Sequence, residues 1–181
     1  MLMRSWITTF TGARVDPLDL IAFDVRIEDI AHSLACINRF GGHIKRPISV
    51  AQHSVYVSRL CPPELALQGL LHDASEYVLG DVTKWLKNTP TFALYRQAEE
   101  RAQKTIFQKF GCEEDMAPEV EAADKLMVRF EAMRSGLRID HPDYPAISKE
   151  EKERIGPWQY WGWKMAEEVF LAEFRCLQSG K

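Results

Sequence analysis

An apolar run, Leu65-Ala66-Leu67-Gln68-Gly69-Leu70-Leu71, leads without a break into His72-Asp73-Ala74-Ser75-Glu76. Leucines at that density are buried, and the polar residues that follow are drawn at least partly inside with them. On a helix Glu76 lies one turn beyond His72 and Asp73, so the three head groups crowd one side. Two acids in such a place cost on the order of several kcal/mol unless a cation or a hydrogen-bond network compensates them. A metal ion is the simplest compensator for a His-Asp pair. The fold must then bring further polar groups to this stretch from elsewhere in the chain.

At 181 residues the chain is long enough for one ordinary domain with a real core, and 46% hydrophobic with 27% charged residues suits a globular protein. The net charge of -3 offers no broad basic footprint, which argues against a duplex nucleic acid partner. A single nucleotide needs only one local basic pocket. Cys36, Cys61, Cys112 and Cys176 are scattered without paired spacing, which disfavours a disulfide framework and favours reduced thiols in a cytoplasmic protein. Met1 to Phe10 lacks the apolar core of a signal peptide. No run approaches the roughly 20 apolar residues of a membrane span, so no membrane partner is expected.

Residues 1–26 mix Trp6, Ile7, Phe10, Gly12 and Pro17 without a helical period and read as an ordered N-terminal arm, with a short strand or hairpin between Ile7 and Phe23. Ile27, Ile30, Ala31, Leu34 and Ile37 then recur at helical spacing behind Glu28 and Asp29, and predict a helix that stops before Gly41-Gly42. The segment Arg39 to Pro47 is a loop rich in basic side chains. Ser49 caps a second helix, Val50 to Leu60, which Cys61-Pro62-Pro63 ends. A third helix begins near Pro63-Glu64, carries the opening stretch and ends near Gly80. A short loop with Asp81, Lys84 and Lys87 follows, and then a long helix from Thr91 to about Phe110, closed by Gly111. Pro118 starts another, over Val120 to Gly136, and a loop with two prolines covers 138–148. Trp158, Trp161, Met165, Val169 and Leu177 mark a C-terminal helix. Trp163, Phe170 and Phe174 fall off that stripe, so the helix reads as apolar on two faces, as in a homodimer or higher homo-oligomer. The expected fold is all-α: one domain over 1–181, with an arm to 26, a helical core over 27–137, and a loop and C-terminal helix over 138–181.

The His-Asp pair needs ligands from elsewhere. His53 lies 19 residues before His72 and Asp124 lies 51 after Asp73, each where an apolar helical pattern would ordinarily place Leu or Val. Together, His53, His72-Asp73 and Asp124 resemble the H…HD…D signature of the HD-domain metal-dependent phosphohydrolases. The extended match, His72-Asp73-Ala74-Ser75-Glu76 continuing to Asp81, is similar to the small single-domain branch. That branch includes 5'-deoxynucleotidases and bacteriophage enzymes that hydrolyse deoxynucleoside triphosphates. Arg39-Phe40 matches the arginine-plus-aromatic pair ahead of the first histidine, with Phe where the deoxynucleotidases usually carry Trp. Thr8-Thr9-Phe10-Thr11-Gly12 and Ile27-Glu28-Asp29-Ile30-Ala31-His32 look most like the phage and proteobacterial versions.

The resemblance implies a single HD-domain helical bundle and one divalent metal ion held by His53, His72, Asp73 and Asp124. It implies hydrolysis of a nucleotide, either a dNMP to deoxynucleoside and phosphate or a dNTP such as dATP to deoxynucleoside and triphosphate. Two imidazoles and two carboxylates suit Mn, Fe, Co, Ni or Zn, and Mg less readily. Glu76 is expected to orient and deprotonate the attacking water. Arg39 is expected to clamp phosphate bidentately and Phe40 to stack on base or sugar. Asp81 would bond a sugar hydroxyl or hold Arg39, and Lys84 and Lys87 would meet the β- and γ-phosphates of a triphosphate. His43, on the Arg39 loop, is placed to touch substrate; His32 reads as structural, and His141 gets no role. The alternative from another class is a catalytically silent HD module that binds nucleotide as a sensor. Glu76 beside the metal ligands argues against it, because a binder needs no water-activating acid.

Overall fold

The computed structural model describes residues 6–137 and 145–179, most of them helical. The arm forms a small antiparallel hairpin, β1 (Ile7–Thr8) and β2 (Arg14–Val15), with Ile7 opposite Val15. Asp29 on α1 (Ile27–Cys36) pins it down, accepting from Thr9 Oγ1 at 2.9 Å, the Thr11 amide at 2.7 Å and Thr11 Oγ1 at 2.9 Å. Those bonds satisfy a carboxylate that is itself buried. Val15, Leu20 and Val25 then carry the arm into the core.

α1 ends at Cys36, well before the Gly41-Gly42 stop. The cause is pairing: Asn38 bridges to Ser49, the Arg39 amide donates to the Ile48 carbonyl at 2.9 Å, and the Val50 amide donates to the Ile37 carbonyl at 3.0 Å. Ser49 caps α2 (Val50–Leu60) as expected, accepting from the Gln52 amide at 3.1 Å. Within α2 only Arg59 is exposed, so this helix runs through the middle of the bundle.

The third helix is two pieces, α3 (Ala66–Leu71) and α4 (Glu76–Leu79), joined by tight turns through His72 to Ser75. A side chain causes the break. Gln103 donates to the Leu71 carbonyl at 2.7 Å and accepts from the Ser75 amide at 3.0 Å, occupying both ends of the bond that a continuous helix would make there. Gln103 belongs to α6 (Ala93–Phe110), which follows α5 (Lys84–Lys87), a single helical turn where a plain loop was expected. Gly111, at φ 74°, closes α6, and α7 (Pro118–Ser135) starts at its proline.

The expected loop at 138–148 falls outside the described residues over 138–144. A further helix, α8 (Lys149–Ile155), follows it, started by a capping box between Ser148 and Glu151. The last helix, α9 (Trp163–Ser179), begins later than the tryptophan spacing implies. Trp158 and Trp161 precede it on a strap across α2, held by the buried Gln52, which donates to the Gln159 carbonyl at 2.7 Å and accepts from the Trp161 amide at 3.1 Å. The buried face of α9 is therefore set by Ala166 and Phe170, while Met165 is 40% and Trp163 48% exposed. Phe170, taken from sequence as part of a second apolar face, is core. Among the described residues no helix is long and apolar enough to cross a membrane.

Candidate metal centre

Gly69 permits the closest approach in the site. A Cβ there would lie 2.8 Å from Cys61 Sγ and 3.1 Å from the Ser58 Cα, so α3 can lean on α2 only because the position is glycine. That approach sets His72 beside His53, with their Nε2 atoms 3.3 Å apart and both rings buried.

The far side of each ring decides its tautomer. His72 Nδ1 is 2.9 Å from the Gly69 carbonyl, which can only accept, so Nδ1 carries the proton. His53 Nδ1 is 3.0 Å from Glu131 Oε1, and Glu131 is ion-paired to Arg39 at 2.9 Å, so it too accepts. With Nδ1 so engaged on each ring, Nε2 is the nitrogen that faces inward, toward two carboxylates. Asp73 Oδ2 lies 3.2 Å from His72 Nε2 and 3.8 Å from His53 Nε2. Asp124 Oδ1 lies 3.1 Å from His53 Nε2 and 3.8 Å from His72 Nε2. Ligands about 2.0–2.2 Å from one ion stand roughly 3–3.5 Å from their neighbours, close to the spacing of these nitrogens and oxygens. His53, His72 and Asp73 offer donors that all lie within 4.8 Å of one another, a group that could hold a metal ion.

The charges agree. Burial opposes a charged His72, but Asp73 and Asp124 outweigh it and hold its pKa well above the ordinary value. Burial likewise works against the Asp73 carboxylate, and His72 overcomes it, keeping that pKa low. Asp124 is depressed in the same way by its bonds to His53 and His72. Four groups that stabilise one another only by sharing protons are four groups a metal can hold instead.

No family model matches the chain. Over 133 residues it is 38% identical to the uncharacterized protein YfdR of Escherichia coli (strain K12), covering 74% of each chain. The chain belongs to the YfdR family. A second relative, the uncharacterized protein RCAP_rcc00048 of Rhodobacter capsulatus, is 36% identical over 148 residues, 72% of this chain and 73% of its own. Neither relative's name states an activity, so the chemistry of this YfdR-family site has to come from its residues.

Arg39 reaches the cluster from the turn Arg39–Gly42, its Nη1 3.3 Å from Asp73 Oδ2. Phe40 beside it takes a left-handed φ of 57°, a conformation that costs a bulky residue about 1–2 kcal/mol, and its ring lies 5.7 Å from the Arg39 guanidinium carbon. Glu76 is buried, and its Oε2 has no hydrogen-bond partner among the described residues. Burial first, then the charges of Asp73 and Asp81, push its pKa well above the carboxylate range.

The outer residues are less closely engaged. Asp81 is half-buried, and its pKa is raised by burial; Arg39 bonds to Glu131 and Asp73 and not to Asp81. Lys87 pairs with Glu99 and stands 3.9 Å from Glu76 Oε1. Lys84 and His43 are exposed and make no contact with the cluster. His32 stacks on Phe10 and lies 3.1 Å from Glu167. A cavity of about 560 Å³ between Arg46, Tyr160, Trp161 and Trp163 contains none of the cluster residues.

Glu131 is the residue sequence reading missed. It is wholly buried in α7, seven residues after Asp124 and so on nearly the same face. The available signal was an acid set between Met127, Phe130 and Ala132, where burial of a charge demands a partner.

Proposed function

We propose that this protein is a metal-dependent phosphohydrolase of the HD-domain type, acting on deoxynucleotides with one divalent ion. The observation that carries the proposal is the convergence of two imidazole nitrogens and two carboxylates, with an arginine and an unpartnered buried acid beside them. His53, His72, Asp73 and Asp124 would hold the ion. Its contribution when bound is Lewis acidity toward a phosphoryl oxygen.

The chain's own groups do the rest. Glu76 takes a proton from the attacking water, a role for which its raised pKa suits it. The water oxygen bonds to phosphorus, the ester P–O bond breaks, and the deoxynucleoside oxygen leaves with a proton taken from solvent, to which Glu76 afterwards releases its own. Arg39 spends its Nε on Glu131 and one Nη1 proton on Asp73. The remaining Nη protons face a phosphate, and the anchored fork holds it in one orientation. Of the two substrate lengths, the monophosphate is favoured. Lys84, needed for the outer phosphates, is exposed and forms no ion pair with the cluster, and Lys87 is already paired with Glu99.

The test is product analysis with all dNMPs and dNTPs in Mn, Co, Mg and EDTA. Phosphate release from dNMPs that EDTA abolishes is expected. Inorganic triphosphate as product would select the triphosphohydrolase instead, and no turnover with any metal would leave the nucleotide-binding module standing.

A further inference from the structure

Two buried donors on separate elements end on one carboxylate. Glu131, 0% exposed, accepts from His53 Nδ1 through Oε1 at 3.0 Å and from Arg39 Nε through Oε2 at 2.9 Å. We infer that Glu131 is the positioning residue that makes His53 a metal ligand, by holding the ring in the one tautomer that can bind, while it fixes the guanidinium that faces the substrate. The inference rests on the proposed reading of His53, His72, Asp73 and Asp124 as ligands of a divalent ion.

A carboxylate ion-paired to an arginine only accepts, so Nδ1 of His53 must donate, and in a ring bound to a metal Nε2 is the nitrogen left to bind it. His72 receives the same instruction from the Gly69 carbonyl, a backbone atom that no substitution alters. The tautomer of His53 alone depends on a side chain. One residue thereby sets both the ligand and the anion holder, whose nearest further contact is Asp73, itself among the metal donors.

Glutamine at position 131 separates positioning from packing. It matches glutamate in shape but presents one acceptor and one donor edge. Arg39 cannot accept, so the amide oxygen turns to it, and the amide nitrogen faces His53 Nδ1. The ring must then accept at Nδ1 and carry its proton on Nε2, where the metal belongs. A Glu131 that served packing alone would leave both the tautomer and the affinity untouched.

The experiment measures Mn binding to the full chain by titration calorimetry, without substrate, for wild type and Glu131→Gln. Long-range proton–nitrogen NMR of the Zn-loaded wild type reads the His53 ring. Expected are one Mn site in wild type, affinity about 10- to 100-fold weaker in Glu131→Gln, and a proton on Nδ1 of His53. Wild type that binds no Mn or Zn overturns the metal reading itself, and this inference with it. Tight binding in wild type matched by Glu131→Gln overturns the role of Glu131 alone. Should circular dichroism show that the variant has unfolded, the wild-type ring spectrum decides, and a bare Nδ1 overturns the inference.

Discussion

The two sides of the cluster are built on opposite terms. On the His53–Glu131–Arg39 side every ring nitrogen has a partner, the residues are buried, and they stand on the long helices α2 and α7 or are tied to them. On the Glu76–Asp81–Lys87 side a buried carboxylate oxygen lacks a partner, its neighbours are half-exposed, and the supporting helices are single turns. One side spends its hydrogen bonds on holding atoms still. The other keeps an acid in an unfavourable state, the condition a proton-transfer group needs.

Breaking the closed side should have the largest effect. Glu131→Leu leaves a buried guanidinium and a ring N–H without their acceptor, and should cost about 3–5 kcal/mol in urea unfolding. A loss under about 1 kcal/mol would mean that the carboxylate holds nothing, and the contrast between the sides would fail. Next is the open side. Glu76→Gln should reduce turnover about 10²–10⁴-fold while Mn affinity stays the same.

The same variant should be more stable than wild type in EDTA at neutral pH. The folded pKa of Glu76 lies above its unfolded value, so its destabilisation is absent below the ordinary carboxylate range and grows as pH rises toward the folded value. The advantage of Glu76→Gln should accordingly vanish near pH 4 in parallel melts. A constant advantage across pH would take Glu76 out of the strained class.

Smaller effects sharpen the boundary between the sides. Gly69→Ala forces a Cβ against Cys61 Sγ and the Ser58 backbone, and should destabilise by about 1–3 kcal/mol while weakening Mn binding, because it moves His72 from His53. Lys84→Ala should change stability by less than about 0.5 kcal/mol and leave dNMP turnover as it was; a clear loss of turnover would bring Lys84 back into the site.

What could be read from sequence follows the same division. Ser49, Gly111, Pro118 and Gly136 mark helix ends chemically, and the structure ends helices there. The break at His72 to Ser75 has no glycine or proline to announce it, since its backbone stays close to helical and its cause, Gln103, lies a helix away. α8 escaped because Lys-Glu-Glu-Lys-Glu-Arg has no apolar stripe; only the Ser148–Glu151 capping box signals it. The tryptophan spacing misled, because Trp158, packed against the core, and Trp161, buried in it, belong to a strap where helical period has no meaning. His53, His72, Asp73 and Asp124 were legible as a set, since polar residues on buried apolar faces stand out. Lys84 was not, because a lysine near a motif looks alike whether solvated or engaged.

The Asn38–Ser49 bridge has a consequence for how such proteins diverge. The chain leaves and returns at one point, with Arg39 at the exit and Ile48 at the entry, while Gly41 to His43 and Lys45 to Pro47 stand out in solvent. Doubling the length of a closed loop adds only about 0.6 kcal/mol of closure entropy. A descendant can therefore lengthen or rewrite this tip and still inherit the arginine and the helix bearing His53 unchanged.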